Sequence, residues 1–541
     1  MTDPRPGWLL LVATAALLAA TQLWLRPLLP VDETRYLSVA WEMWQRGEFL
    51  VPYLNGEPYS HKPPLLFWLI HASWWLFGVS ELAARLVAPL VGLVVLWLTA
   101  RLAARLWPEP QQQSAFIAAS APWLLFGGLF WHNFFTLVQF DLLLVLAALL
   151  AWHGVLEARR RSWRRWRGWL LVGFAIGVGV LSKGPVILVP VLPAVLLAPW
   201  WSQCERSGSW AGWYLGALGA VMLGTAIALL WALPAGQAGG DSYREAIFWG
   251  QSAGRMIDSF AHQAGWWSYL LWLPLMWLPW VLWPSLWRSA RQTGRPDSGM
   301  RFCLAVLLPA LLVFSLISGK QGKYLLPLFP LLALLMARWL AQLPRDARPY
   351  RPHFAAVVML AAGLALLMAR SWPQGPAWLA QIQLMWPLAL LVWGALLLMM
   401  KLTLTGVVRS AALGMLMTSL VLYLALAELA RPPFQLQAIS QLLADLQQDG
   451  RPLAYLGKYH GQFHFLGRLE QRIEPLHSRA RLHAWLEAHA DGFLLVNYKQ
   501  PPHELPELLL IQPYRGGSLV LWPAAQLREQ PRSLDALPGS G

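Results

Sequence analysis

The chain is built from apolar runs of about 20 residues, and a rise of about 1.5 Å per helical residue makes each one long enough to cross a bilayer. We read roughly thirteen such runs on that criterion, beginning near residues 8, 84, 114, 137, 168, 186, 211, 268, 302, 325, 353, 379 and 409. The fold class expected is therefore mostly α: a polytopic membrane protein of about 13 transmembrane helices. With 57% hydrophobic and 13% charged residues, the composition lies outside that of a soluble chain. The mean hydropathy of +0.44 agrees.

A net charge of +15 invites a nucleic-acid reading, but the basic residues sit in short loops between apolar runs. Arg101 and Arg105, the run Arg159 to Arg167, Arg206, Arg288 to Arg301, Arg345 to Arg351, and Lys401 with Arg409 alternate as cytoplasmic loops under the positive-inside rule. Nucleic acid is therefore not an expected partner. The 35 Trp residues, many at the ends of apolar runs, fit the water–lipid boundary. Cys204 and Cys303 are the only cysteines, so neither a disulfide framework nor a thiol metal site is expected.

Thirteen spans starting inside finish outside, which puts the first loop (about 26-83) and the tail from about Arg431 on the same, non-cytoplasmic side. Trp8 to Leu25 reads as an uncleaved anchor because further spans follow it. Pro64 to Phe77 is shorter, Trp-rich and interrupted by His71, and suits a juxtamembrane helix in the interface. The expected division is residues 1-430 as a membrane domain and 431-541 as a small C-terminal α/β domain. In the latter, strands are expected at Leu453 to Leu456 and Gly492 to Val496, and helices at Ile439 to Gln448 and Ala480 to Ala490.

The first loop, VDETRYLSVAWEMWQRGEFLVPYLNGEPYSHKPP from Val31 to Pro64, carries more charge than a connector needs. With it the outer face gathers Asp32, Glu33, Arg35, Tyr59, His61, Lys62, Lys183, Lys320, Lys323 and Tyr324, together with the loop Gly239 to Gly265. Asp141 and Lys183 fall at membrane depth, where ionisable groups are costly and usually face a cavity. Few acids among many cations suit a site that binds an anionic lipid headgroup and deprotonates a hydroxyl. Asp32 would be the base, and Lys62, Arg255 and Tyr324 would hold a phosphate as leaving group. Each also has a plainer reading. Asp141 and Lys183 could form a structural ion pair, Lys62 could snorkel, Arg255 could serve loop solubility, Tyr324 could anchor at the interface, and Glu33 and Arg35 could pair with each other. The sequence holds no HExxH motif, Walker loop or dinucleotide fingerprint, and no residues are assigned to a metal, the need for a divalent ion staying open.

These residues occur in an order that resembles the GT-C membrane glycosyltransferases, in particular the bacterial aminoarabinose lipid A transferases and their relatives near the protein O-mannosyltransferases. The motifs are DETRY at Asp32 to Tyr36, GEFLVPYLNGEPYSHKPPLLFWL with its KPP, Phe140-Asp141, LSKGP at Leu181 to Pro185, and SGKQGKYLLPLFPLLALL from Ser318. The resemblance implies a GT-C fold in the bacterial inner membrane, with the active site facing the periplasm. It implies transfer of a sugar, with inversion, from an undecaprenyl-phosphate-linked donor to lipid A or another envelope acceptor. It assigns Asp32 and Asp141 as catalytic, and Lys62, Arg255 and Tyr324 to the donor phosphate. Lys183 would be a further cavity residue, and no cofactor beyond the polyprenyl-phosphate sugar is firmly implied. One position departs: aminoarabinose transferases carry an acid just before the KPP lysine, and this chain has His61. A neutral hexose as donor sugar, or a protein or other envelope glycan as acceptor, is therefore an alternative. A transporter or flippase of lipid-linked saccharides is the alternative of a different class, expected to show paired interrupted spans in two halves.

Overall fold

The computed structural model describes residues 5–159, 165–202, 209–250, 264–344, 349–500 and 510–529. It is mostly helical, opening with α1 (Arg5–Leu25), α2 (Asp32–Arg46), α3 (Leu65–Phe77), α4 (Glu81–Leu106), α5 (Gln111–Phe126), α6 (Leu129–Phe134), α7 (Asp141–Ala158) and α8 (Arg165–Lys183). A helical segment covers the neighbourhood of every expected span start, yet among the described residues only 8 helices are long and apolar enough to cross a membrane. These are Gly7–Leu25, Glu81–Leu106, Asp141–Ala158, Trp210–Ala238, Ser298–Leu316, Gly322–Leu340, His353–Arg370 and Leu404–Ala430.

At the other five segments the helices are shorter or more charged than that criterion asks, so the full count of about thirteen spans is not established by helix length. α5 has 16 residues and Met385–Met399 has 15. The apolar run after Lys183 reaches only Pro185–Leu196. The Ser268–Met276 helix has 9 residues with Pro274 inside it. Proline removes an intrahelical hydrogen bond and crowds the preceding turn, so apolar runs rich in it break into short helices. α8 is 19 residues long but has Arg165, Arg167 and Lys183 at its ends.

α7 and α8 form an antiparallel pair whose crossing depends on two glycines. A Cβ at Gly168 would lie 2.3 Å from the Ala158 nitrogen, and one at Gly154 would lie 2.8 Å from the Gly168 carbonyl oxygen. Small residues at a helix crossing allow this approach of the backbones. The pairing brings the first residue of α7, Asp141, beside the last residue of α8, Lys183. At the opposite end Arg105 closes α4 onto α7, donating to the His153 carbonyl at 3.2 Å and lying 3.8 Å from Glu157. The acid–lysine end and the Arg-rich end of the bundle are thus separated by the length of α7.

α2 and α3 lie across the acid–lysine end. α2 packs Tyr36, Leu37, Ala40 and Met43 against Leu66, Phe67, Ile70 and Trp74 of α3. Between them β1 (Tyr53–Leu54) and β2 (Glu57–Pro58) form a hairpin across Asn55-Gly56, both at positive φ, as a two-residue turn with an Asn-Gly pair favours.

The C-terminal part forms a five-stranded sheet from β3 (Leu453–Leu456), β4 (Glu474–Leu476), β5 (Phe493–Tyr498), β6 (Leu510–Tyr514) and β7 (Gly517–Pro523). Its order is β4-β3-β5-β7-β6, parallel across β4, β3 and β5 and antiparallel across β7 and β6. Helix Gln437–Gln448 covers one face with Ile439 and Leu443 on Tyr455, Leu495 and Leu519. Helix Arg479–Ala488 covers the other with Leu482, Trp485 and Leu486 on Ala454, Leu494 and Val496. The two expected strands and two expected helices are all found within a few residues of their predicted bounds.

Candidate active site

Asp32 opens α2, with its side chain 36% exposed, so a second molecule can reach it. Oδ1 accepts from Arg35 Nη2 at 2.6 Å, one helical turn on, and Oδ2 accepts from Lys323 Nζ at 3.2 Å. Burial alone would raise the pKa of this carboxyl, but the charges of Lys323, Arg35 and Lys62 outweigh it and hold it below the usual value. The same acid and the nearby Tyr59 and Tyr36 outweigh the burial that would lower the Arg35 pKa, so Arg35 stays firmly charged.

Behind Asp32 lies a second acid–lysine pair. Asp141 Oδ1 accepts from Lys183 Nζ at 2.5 Å, with side chains 5% and 11% exposed. Each group stands at the helix end that favours its charge, the acid in the first turn of α7 and the lysine in the last turn of α8. Lys183 Nζ also lies 4.6 Å from the Tyr324 ring centre, a cation–π contact. Lys323 and Tyr324 come from the turn Gly322–Leu328, which enters between the two pairs. The charges of Lys323 and Asp32 act on Lys183, so the two pairs are one electrostatic unit.

His61, Lys62, Lys183 and Tyr324 line one cavity of about 440 Å³, otherwise walled by groups such as Val180, Leu229, Trp231 and Phe314. Lys62 Nζ lies 5.8 Å from the Phe140 ring centre, and Phe140 is wedged edge-on between Tyr36 and Phe67. Tyr59 stacks on His61 with ring centres 5.3 Å apart, fixing the position that precedes Lys62. Four cations (Arg35, Lys62, Lys183, Lys323) and two acids (Asp32, Asp141) make a local excess of positive charge beside an apolar chamber. That combination can hold a phosphate with a long hydrocarbon attached.

Of the other residues expected in the cavity, Asp32, Arg35, Tyr59, Asp141 and Lys323 stand beside its lining rather than in it, and Glu33 and Lys320 are engaged elsewhere. Glu33 is fully buried on the far side of the α2 turn, where Arg26 pairs with it and the backbone N–H groups of Leu29 and Val138 donate to it, each at 2.9 Å. It therefore does not pair with Arg35, which turns to Asp32; Glu33 braces the start of α2. Lys320, 4% exposed, donates to the carbonyls of Ile317 at 2.6 Å and Ala264 at 3.0 Å, so it ties backbone rather than facing the chamber. Arg255 lies outside the described residues. Among the described residues no group of three or more His, Cys, Asp or Glu is placed to hold a metal ion.

Sequence reasoning missed the segment 459–473, which docks the sheet onto the first loop. Asn55 bonds both backbone groups of Ile473, at 2.8 and 2.9 Å, and Arg472 pairs with Glu57 at 2.7 Å. Phe465 stacks on Trp74, ring centres 5.5 Å apart. His460 is brought near Arg35 and Asp32; burial, then Arg35, Lys458 and Arg515, lower its pKa to about 4 despite Asp32. His460 is therefore neutral at physiological pH. Nothing in the linear spacing of His460 points to this; only the turn residue Gly461, at φ 72°, marks a bend there.

Residues 61–231 match the family described as dolichyl-phosphate-mannose-protein mannosyltransferase. Undecaprenyl phosphate-alpha-4-amino-4-deoxy-L-arabinose arabinosyl transferase 2 of Pseudomonas fluorescens (strain Pf0-1) is 31% identical over 346 residues, 63% of this chain and 61% of that protein. The corresponding transferase of Pseudomonas aeruginosa (strain LESB58) is 33% identical over 313 residues, 58% of this chain and 55% of that protein. The chain thus spans under two thirds of the length of these relatives. The apo crystal structure of ArnT from Cupriavidus metallidurans superposes with a TM-score of 0.75 at 19% identity, over 97% of this chain and 99% of that one. The structure of the same protein bound to undecaprenyl phosphate gives 0.73, also at 19% identity, over 95% and 97%. In fold, in its domain at 61–231 and in its relatives, the chain resembles the GT-C membrane glycosyltransferases, and among them the aminoarabinose transferases.

Proposed function

We propose that the chain is a glycosyltransferase that moves a sugar from an undecaprenyl-phosphate-linked donor to an acceptor on the periplasmic side of the bacterial inner membrane, inverting the anomeric carbon. The observation that carries this reading is the Asp32–Lys323 pair standing beside Lys183 and Tyr324 of the apolar cavity. Asp32 takes the proton of an acceptor hydroxyl as that oxygen bonds to the anomeric carbon. The bond from that carbon to the phosphate oxygen breaks, and its electron pair leaves with undecaprenyl phosphate. Lys62, Lys183 and Tyr324 stabilise the charge that develops there, with Arg255 a further contact assigned by resemblance. Asp141 keeps Lys183 charged and aimed.

In this reading all thirteen helical segments cross or enter the bilayer, residues 431-541 form a periplasmic domain over the cavity, and lipid A is the acceptor. His61 favours a second reading for the sugar. An acid there would suit an amino sugar, and a histidine stacked on Tyr59 suits a neutral hexose equally. The test is transfer by the purified protein, offered undecaprenyl-phosphate-linked sugars with and without an amino group together with lipid A. Product masses carrying aminoarabinose on lipid A support the narrow reading. Transfer of another sugar alone moves the substrate, and no transfer from any such donor overturns the proposal.

A further inference from the structure

On the other side of α2 from Asp32, two cavities adjoin between α1 and the Leu404–Ala430 helix, sharing Arg26, Pro27, Arg431 and Phe434. The first, about 340 Å³, is ringed by polar groups such as Glu81, Arg85 and Gln435. The second, about 450 Å³, is lined by aliphatic groups that include Leu25, Leu422 and Leu426. None of these residues lines the cavity of Lys62 and Lys183. We infer that this two-part groove binds one anionic membrane phospholipid, its phosphate on Arg431 and an acyl chain along the aliphatic part.

The charges decide this. Arg26 is committed to Glu33, and Arg85 to Glu81 at 2.7 Å. The Arg431 guanidinium has no ion pair or hydrogen bond among the described residues, and its Nε is buried. Left over is one positive charge that matches the single charge of a phosphodiester. A zwitterionic headgroup would bring its own ammonium beside that guanidinium. The position fits as well: Arg431 follows directly on a 27-residue apolar helix, and Arg26 follows on α1. Both stand where a span meets the headgroup layer, the level at which Arg binds lipid phosphate.

The test is native mass spectrometry of the full chain in detergent, titrated with phosphatidylglycerol, phosphatidylcholine or inorganic phosphate. Wild type should retain one phosphatidylglycerol at least tenfold more tightly than phosphatidylcholine. Arg431→Gln should lose that preference, Arg431→Lys should restore part of it, and Leu426→Trp should lose the lipid with the guanidinium in place. Lys62→Ala should keep it. Equal retention of phosphatidylcholine, binding of inorganic phosphate as tight as that of the lipid, unchanged binding in Arg431→Gln and Leu426→Trp, or loss in Lys62→Ala would each overturn the assignment.

Discussion

Asp32 and Lys323 lie 291 positions apart in the chain and meet at 3.2 Å, joining the first turn of α2 to the turn that also delivers Tyr324. The contact holds the carboxylate on a lysine next to Tyr324 and leaves it partly exposed to an incoming acceptor. Asp32→Asn keeps the shape and removes the base, so transfer should fall by about 10²–10⁴-fold with normal abundance. Lys323→Met should lower transfer as well, and the double variant should be no worse than Asp32→Asn alone, because both losses act on one group. Full activity in Asp32→Asn would reject the assignment of the base.

The pH dependence of stability follows from the other titrating group at this spot. His460 has a folded pKa of about 4, below its unfolded value, because of burial and then Arg35, Lys458 and Arg515; Asp32 acts in the opposite sense. His464 is likewise lowered to about 4 by burial. Between about pH 6.5 and 4 the unfolded chain binds more protons than the folded one, so stability falls as pH falls through that window. Asp32 works lower down: its depressed pKa contributes stability above the unfolded carboxylate value, lost as pH falls through the folded one. Thermal unfolding at pH 7.5 and 5 should therefore show a smaller decline for His460→Gln than for wild type. An equal decline would remove His460 from the account.

Much of this site was legible in the sequence because span ends and basic loops fix which residues share a side. Lys62, Lys183 and Tyr324 come to line one cavity, with Asp32 paired to the neighbouring Lys323. What sequence could not give is which charge takes which partner: Glu33 adjoins Asp32 yet points the opposite way around the α2 turn, to Arg26. Lys320 and Lys323 are three residues apart, and a single turn sends one to backbone carbonyls and the other to Asp32. Helix lengths were likewise not legible, since Pro274 sits in a helix of 9 residues while Pro234 sits in one of 29.

Docking of the sheet onto the first loop makes a further prediction. Asn55→Ala leaves the buried Ile473 N–H and carbonyl without their partner, a loss of about 1–3 kcal/mol. Removal of the chain from Arg431 onward takes away the whole contact. Both changes should lower transfer, the truncation abolishing or redirecting it, while the membrane bundle remains folded in detergent. Transfer by the truncated protein at the wild-type rate would show that the sheet has no part in the reaction.

The Asp141–Lys183 pair separates a structural role from a functional one. Both groups are almost buried, so removing one leaves the other charge uncompensated at a cost of about 3–5 kcal/mol, whereas removing both is often neutral for stability. Lys183→Met alone should thus lower abundance and melting temperature, and Asp141→Asn combined with Lys183→Met should recover both. If Lys183 helps to hold the leaving phosphate, the stable double variant stays inactive and its Kd for undecaprenyl phosphate rises at least tenfold. If the pair only braces α7 against α8, recovery of the fold brings recovery of transfer. Gly168→Val provides the control for that bracing. It forces the backbones of the same crossing apart without touching either charge, so its activity should fall only in proportion to the folded protein that survives.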